Sequence, residues 1–262
     1  MLPSLFTVGT LICGYFALLA TLRGTLQMSP SLEAARWSFD SAARAIGWAI
    51  LFDGLDGRIA RLTNSASEFG REFDSLADVI AFGIAPAFLA FAWGIRSMET
   101  VLGTDVVQHV RQAGWIITFA YVICGAARLA RFNIQSTKAS VDRRYFVGLP
   151  IPAAAGVVAA VVHFLKSPAN DWRFGMAWLT IIGLLAFLMV SRVRYYSFKT
   201  IDLRRPRSYL FIIVLGLVAY GVAVYSESVL LVLAFAYAFS PVLRMFPRPR
   251  VQPPAPQKVH AS

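Results

Sequence analysis

Cysteine and histidine are scarce in this 262-residue chain, which has two of the former and three of the latter. Cys13 and Cys124 both fall in apolar stretches, so there is neither a disulfide framework nor a zinc cluster. His109, His163 and His260 are too scattered to form a histidine metal site. Charge is also short. Charged residues make up 15% of the chain, against about 25% in an average soluble domain. Acidic side chains are the rarer sign, 14 against 25 lysines and arginines, giving a net charge of +11. That excess is not arranged as basic runs interleaved with exposed aromatics, which argues against a nucleic-acid groove. Strict alternation of apolar and polar residues is missing too, which argues against a β-barrel. No basic segment precedes the apolar start, so the first helix is expected to stay in the mature chain rather than serve as a leader.

What the chain has in quantity is hydrophobic length. Hydrophobic residues make up 57% of it and the mean hydropathy is +0.60. They come in blocks approaching the roughly 20 residues needed to cross a bilayer. The expected fold is an all-α polytopic membrane protein with about eight transmembrane helices, at 4–22, 37–60, 72–95, 112–133, 149–165, 174–191, 208–224 and 228–244. They form one transmembrane domain over residues 1–246, followed by a proline-rich tail, 247–262, expected to be disordered and cytoplasmic. Fifteen basic residues follow the even-numbered spans and six follow the odd-numbered ones. That bias predicts that both termini and the even-numbered loops face the cytoplasm of a bacterial inner membrane.

Of the 14 acidic residues, six lie between Asp53 and Asp78, where apolar helices arrive from both sides. Charge at membrane depth is costly and usually functional. Asp53 and Asp56 are three apart, Asp74 and Asp78 four apart, so each pair shares a helix face. Two antiparallel helices would bring the pairs together, and four carboxylates in so small a volume repel unless cations neutralise them. Hard oxygen ligands favour magnesium, manganese or calcium, and two such ions can clamp a phosphoryl centre. Gly57 and Ala60 leave a bare helix surface beside the carboxylates, and Arg61 offers a fork of donors to a phosphate. A cation transporter is the rival reading. It predicts acidic residues spread over several spans at mid-depth, whereas these sit at the ends of two adjacent helices.

The segment from Asp53 to Asp78 resembles the motif of the CDP-alcohol phosphatidyltransferase family, D-x2-D-G-x2-A-R-x8-G-x3-D-x3-D, at every fixed position. The resemblance implies a helical membrane enzyme, often a homodimer, with a cytoplasmic site and a helix bundle typical of that family. It implies metal binding by Asp53, Asp56, Asp74 and Asp78, with Asp78 also the base. It further implies CDP-lipid contacts from Asp56, Gly57, Ala60, Arg61 and Ser67. Four other stretches resemble the integral-membrane serine-using branch of the family: Leu2 to Leu11, Ser67 to Pro86, Arg128 to Asn133, and Phe146 to Ala154. Ser4 and Thr10 stand where that branch usually has asparagine. The branch implies CDP-diacylglycerol and L-serine as substrates, membrane lipids as surroundings and Mg2+ or Mn2+ as cofactor. Glycerol phosphate or inositol phosphate are the alternative acceptors. Arg128 and Arg131 could read a carboxylate and Asn133 an amino group. On the residues alone, the two arginines snorkelling to lipid phosphates is an equal reading.

Overall fold

A computed structural model describes residues 5–28, 31–63, 67–94, 104–136, 145–168, 172–196, 216–217 and 220–245. In chain order these contain helices α1 (Leu5–Gln27), α2 (Leu32–Thr63), α3 (Glu68–Asp78), a π-helical segment (Val79–Ile84), α4 (Ala85–Gly94) and α5 (Thr104–Ser136). There follow strand β1 (Tyr145–Val147), α6 (Ile151–Leu165), α7 (Trp172–Val190), β2 (Arg194–Tyr196) and α8 (Ser226–Met245). Leu5–Gln27, Glu68–Gly94, Gln108–Ile134 and Arg173–Val190 are long and apolar enough to cross a membrane, and Ile151–Leu165 and Ser226–Pro241 are shorter apolar helices. The protein is an integral membrane protein built on a helix bundle. Most of the expected span at 208–224, and all of the tail at 247–262, lie outside the described residues.

α1 packs with its small residues inward and its large ones outward, the pattern of a helix whose surroundings are as apolar as its core. Thr7, Thr10, Gly14, Ala17, Thr21 and Gly24 are buried, while Ile12, Tyr15, Phe16 and Leu19 are exposed. A Cβ at Gly14 would stand 2.7 Å from the Ala81 backbone, and one at Gly24 would stand 2.9 Å from the Phe39 ring. Glycine is therefore required at both contacts.

α2 is longer than the sequence pattern indicates, 32 residues in place of 37–60, and Asp40 within it is matched inside the bundle. Asp40 accepts from Arg44 at 2.7 Å and pairs with His163 of α6. The other nitrogen of His163 lies 3.1 Å from the Ser226 hydroxyl, and Lys166 pairs with Glu227. This clasp joins α2, α6 and α8 at a point about 20 Å along α2 from Asp53, at 1.5 Å per residue.

The third apolar segment is one continuous rod with a fault in it. α3 starts where Ser67 caps the Gly70 N–H at 3.0 Å. Beyond Asp78 the rod widens into the π segment, where the Ala85 N–H reaches back to the Ile80 carbonyl. Proline at position 86 has no N–H for the Phe82 carbonyl four residues earlier. The fully buried Tyr121 hydroxyl of α5 donates to that carbonyl instead, at 3.2 Å. On the far side of the rod Trp178 of α7 fills the notch at Gly94 and donates to the Ala90 carbonyl at 3.0 Å.

β1 and β2 form a short antiparallel ladder, with Phe146 opposite Tyr195, in an otherwise helical chain. Gly148 follows at φ +84°, where an added Cβ would stand 2.3 Å from the Met189 carbonyl oxygen. Only glycine fits there. Pro150 then caps α6, and Pro152 sits in its first turn.

Removing the Tyr121 hydroxyl takes a donor from a buried carbonyl. Tyr121→Phe should lower stability by about 1–3 kcal/mol, read as a reduced unfolding temperature of the purified protein. Unchanged stability would show that the Phe82 carbonyl does not depend on Tyr121.

Candidate active site

Three of the four motif aspartates come together. Asp53 on α2 and Asp74 and Asp78 on α3 each offer a carboxylate oxygen, all within 4.8 Å of one another. The cap at Ser67 sets the start of α3, so Asp74 and Asp78 stand one turn apart on the side facing α2. Asp78 is buried at the helix end, just before the π segment. The structure does not bring Asp56 into this group. Its carboxylate is buried and accepts from the Thr7 hydroxyl of α1.

The sequence profile of the CDP-alcohol phosphatidyltransferase family matches residues 1–189. The chain belongs to that family. It is 38% identical over 224 residues to a protein of Helicobacter pylori (strain ATCC 700392 / 26695) named CDP-diacylglycerol–serine O-phosphatidyltransferase, covering 83% of this chain and 81% of the relative. A Bacillus subtilis protein of the same name is 30% identical over 200 residues, 76% of this chain and 91% of the relative. One from Methanocaldococcus jannaschii is 36% identical over 146 residues, 56% and 59% of the two chains.

In this member of the CDP-alcohol phosphatidyltransferases the surroundings of the carboxylates are open on one side. Among the described residues, a Cβ placed on Gly54 or Gly57 would meet nothing within 4 Å, which leaves room for a ligand beside the α2 backbone. The side chains of Ala60 and Arg61 lie outside the described residues. The Ser67 oxygen serves as the α3 cap, a role that does not use its O–H as a donor.

The three side chains considered for the acceptor diverge. Arg128 lies in the field of Asp78 and Asp53 and of the Tyr237 hydroxyl on α8. Its guanidinium also stands 5.5 Å from the Phe132 ring centroid. Arg131 instead donates to the Val190 carbonyl at 3.3 Å, capping the end of α7. Asn133 donates to the Ser75 hydroxyl at 2.9 Å, and Ser75 donates to the Arg71 carbonyl at 3.1 Å. Asn133 therefore braces α3 from α5. Sequence reasoning gave Thr7 no role of its own.

An all-oxygen set of three carboxylates suits a hard divalent cation. The residues present fit such an ion. Titration of purified protein with Mn2+ should show saturable binding, weakened at least tenfold by Asp53→Asn, Asp74→Asn or Asp78→Asn. Wild-type affinity in all three variants would remove the cation from this site.

Proposed function

We propose that this protein transfers the phosphatidyl group of CDP-diacylglycerol to the hydroxyl of L-serine, giving phosphatidylserine and CMP. The convergence of Asp53, Asp74 and Asp78 beside the open Gly54–Gly57 surface carries the reading. Family membership and the names of the relatives support it. Bound Mg2+ or Mn2+, in this reading two ions held by the aspartates, would neutralise the pyrophosphate and the departing CMP. Asp78 takes the proton of the serine hydroxyl, whose oxygen attacks the phosphorus bearing diacylglycerol. The bond from that phosphorus to the bridging oxygen breaks, and CMP carries the oxygen away. Asp78 acts through its position at the end of α3 more than through basicity.

Asp56, Gly57, Ala60, Arg61 and Ser67 hold the CDP portion. Arg128 is the acceptor-site cation, because Arg131 is engaged at the end of α7 and Asn133 on Ser75, which leaves Arg128 among the three for the acceptor. Arg131 and Asn133 support the site from behind. The same reading places one transmembrane domain over residues 1–246 in a bacterial cytoplasmic membrane. It has eight spans, both termini and the site on the cytoplasmic side, and two copies forming a homodimer.

Purified protein supplied with CDP-diacylglycerol and a panel of acceptors tests the proposal. CMP release should require L-serine and a divalent cation. Arg128→Gln should raise the serine KM about tenfold to a hundredfold, the equivalent of a charged hydrogen bond of roughly 1.5–3 kcal/mol. CMP release with glycerol phosphate or inositol phosphate, and none with serine, would keep the reaction class and discard the acceptor.

A further inference from the structure

Far from the aspartate site along α2, three polar side chains from three helices stand in series. Asp40 of α2 pairs with Nδ1 of His163 on α6, and Nε2 of His163 lies 3.1 Å from the hydroxyl of Ser226 at the start of α8. Asp40 and His163 are each 8% exposed. Groups so far removed from water must satisfy one another.

The proton positions follow from the partners. An ionised carboxylate only accepts, so Nδ1 of His163 carries the proton that faces Asp40. Arg44 donates to the second oxygen of Asp40 at 2.7 Å, and Lys166 pairs with Glu227. Two cations thus stand against two anions, and the local charge closes with the imidazole neutral. In that tautomer Nε2 is an acceptor and the Ser226 hydroxyl is its donor. The hydroxyl proton therefore points at a base whose ring is oriented by a carboxylate, which is the order of an activated nucleophile.

Access separates such a serine from a simple brace. Ser226 is half-buried, while its neighbours Tyr225 and Val224 are 66% and 49% exposed. Phe164 and Leu165, next to His163, are exposed as well. This rim is aromatic and aliphatic, so it suits an acyl chain. Ser226 also opens α8, and the first-turn N–H groups of a helix lack intrahelical acceptors. Such groups can receive the charge that develops on a carbonyl oxygen.

We propose that Ser226, His163 and Asp40 form a second active centre, separate from the aspartates, that hydrolyses carboxylic esters of lipids. The Ser226 oxygen bonds to the ester carbonyl carbon while Nε2 of His163 takes its proton. The ester C–O bond breaks, and the alcohol departs with that proton, leaving an acyl group on Ser226. Water, deprotonated by His163, attacks the acyl carbon. The fatty acid leaves, and the proton returns to Ser226. Asp40 touches no reacting atom and is a positioning residue. Phosphatidyl transfer is not needed for this chemistry.

Purified protein treated with a fluorophosphonate probe should become labelled at Ser226, located by mass spectrometry. It should also hydrolyse p-nitrophenyl octanoate, and Ser226→Ala should abolish both signals. His163→Gln should slow labelling at least a hundredfold. Asp40→Asn should lower kcat for the ester about tenfold or more with KM within about twofold, and Asp40→Glu should restore part of it. Serine-dependent CMP release and the unfolding temperature report whether each variant is folded, and both should hold in Ser226→Ala. Absence of labelling at Ser226 in the wild-type protein would overturn the proposal without recourse to any variant. Labelling unchanged in a folded His163→Gln, or hydrolysis that persists in Ser226→Ala, would overturn it too and leave the three side chains as a clasp only.

Discussion

Asp53, Asp74 and Asp78 bring carboxylate oxygens within 4.8 Å of one another, and like charges so close do not stay together unless something opposes them. At an effective dielectric of about 20, each such pair repels by roughly 3–4 kcal/mol. Arg128 supplies one opposing charge from α5. The remaining imbalance is what a divalent cation, and a substrate that shares it, would remove. Much of the architecture resists the same repulsion mechanically. The Ser67 cap, the Asn133 brace on Ser75 and the packing of α1 against α2 and the π segment all keep α2 and α3 from parting.

The rod that carries Asp74 and Asp78 would be weakened at Pro86 but for Tyr121, whose hydroxyl closes the gap that proline leaves. The π segment therefore sits between a fixed proline and a buried donor, and Asp78 is held at its entrance. Far along α2, the clasp of Asp40, Arg44, His163 and Ser226 carries polar groups that no bilayer would tolerate unmatched. The helix thus holds charge near both ends, matched by protein at one and by protein with ligand at the other.

The site was legible in its composition and less so in its direction. The spacing from Asp53 to Asp78 marks the cluster and its chemistry, because so dense a set of carboxylates between apolar helices has few other uses. It did not separate Asp53 from Asp56. Residues three apart on a helix differ by about 60° in direction, enough for one to face α3 and the other α1. Arg128 and Arg131 diverge for the same reason, toward the carboxylates and toward the end of α7. The apolar blocks located most of the helices. The extension of α2 to Leu32 was hidden, because Glu33 and Arg36 interrupt the apolar block there. The β1–β2 ladder is three residues per strand, too short for any alternation to register.

The central claim is that aspartates from two helices, Asp53 on α2 and Asp74 and Asp78 on α3, form a cation site. Crystals of the protein grown with Mn2+ and CMP, with anomalous scattering recorded from the manganese, test it most directly. The account predicts anomalous density among the carboxylates of Asp53, Asp74 and Asp78. Manganese bound elsewhere would contradict it.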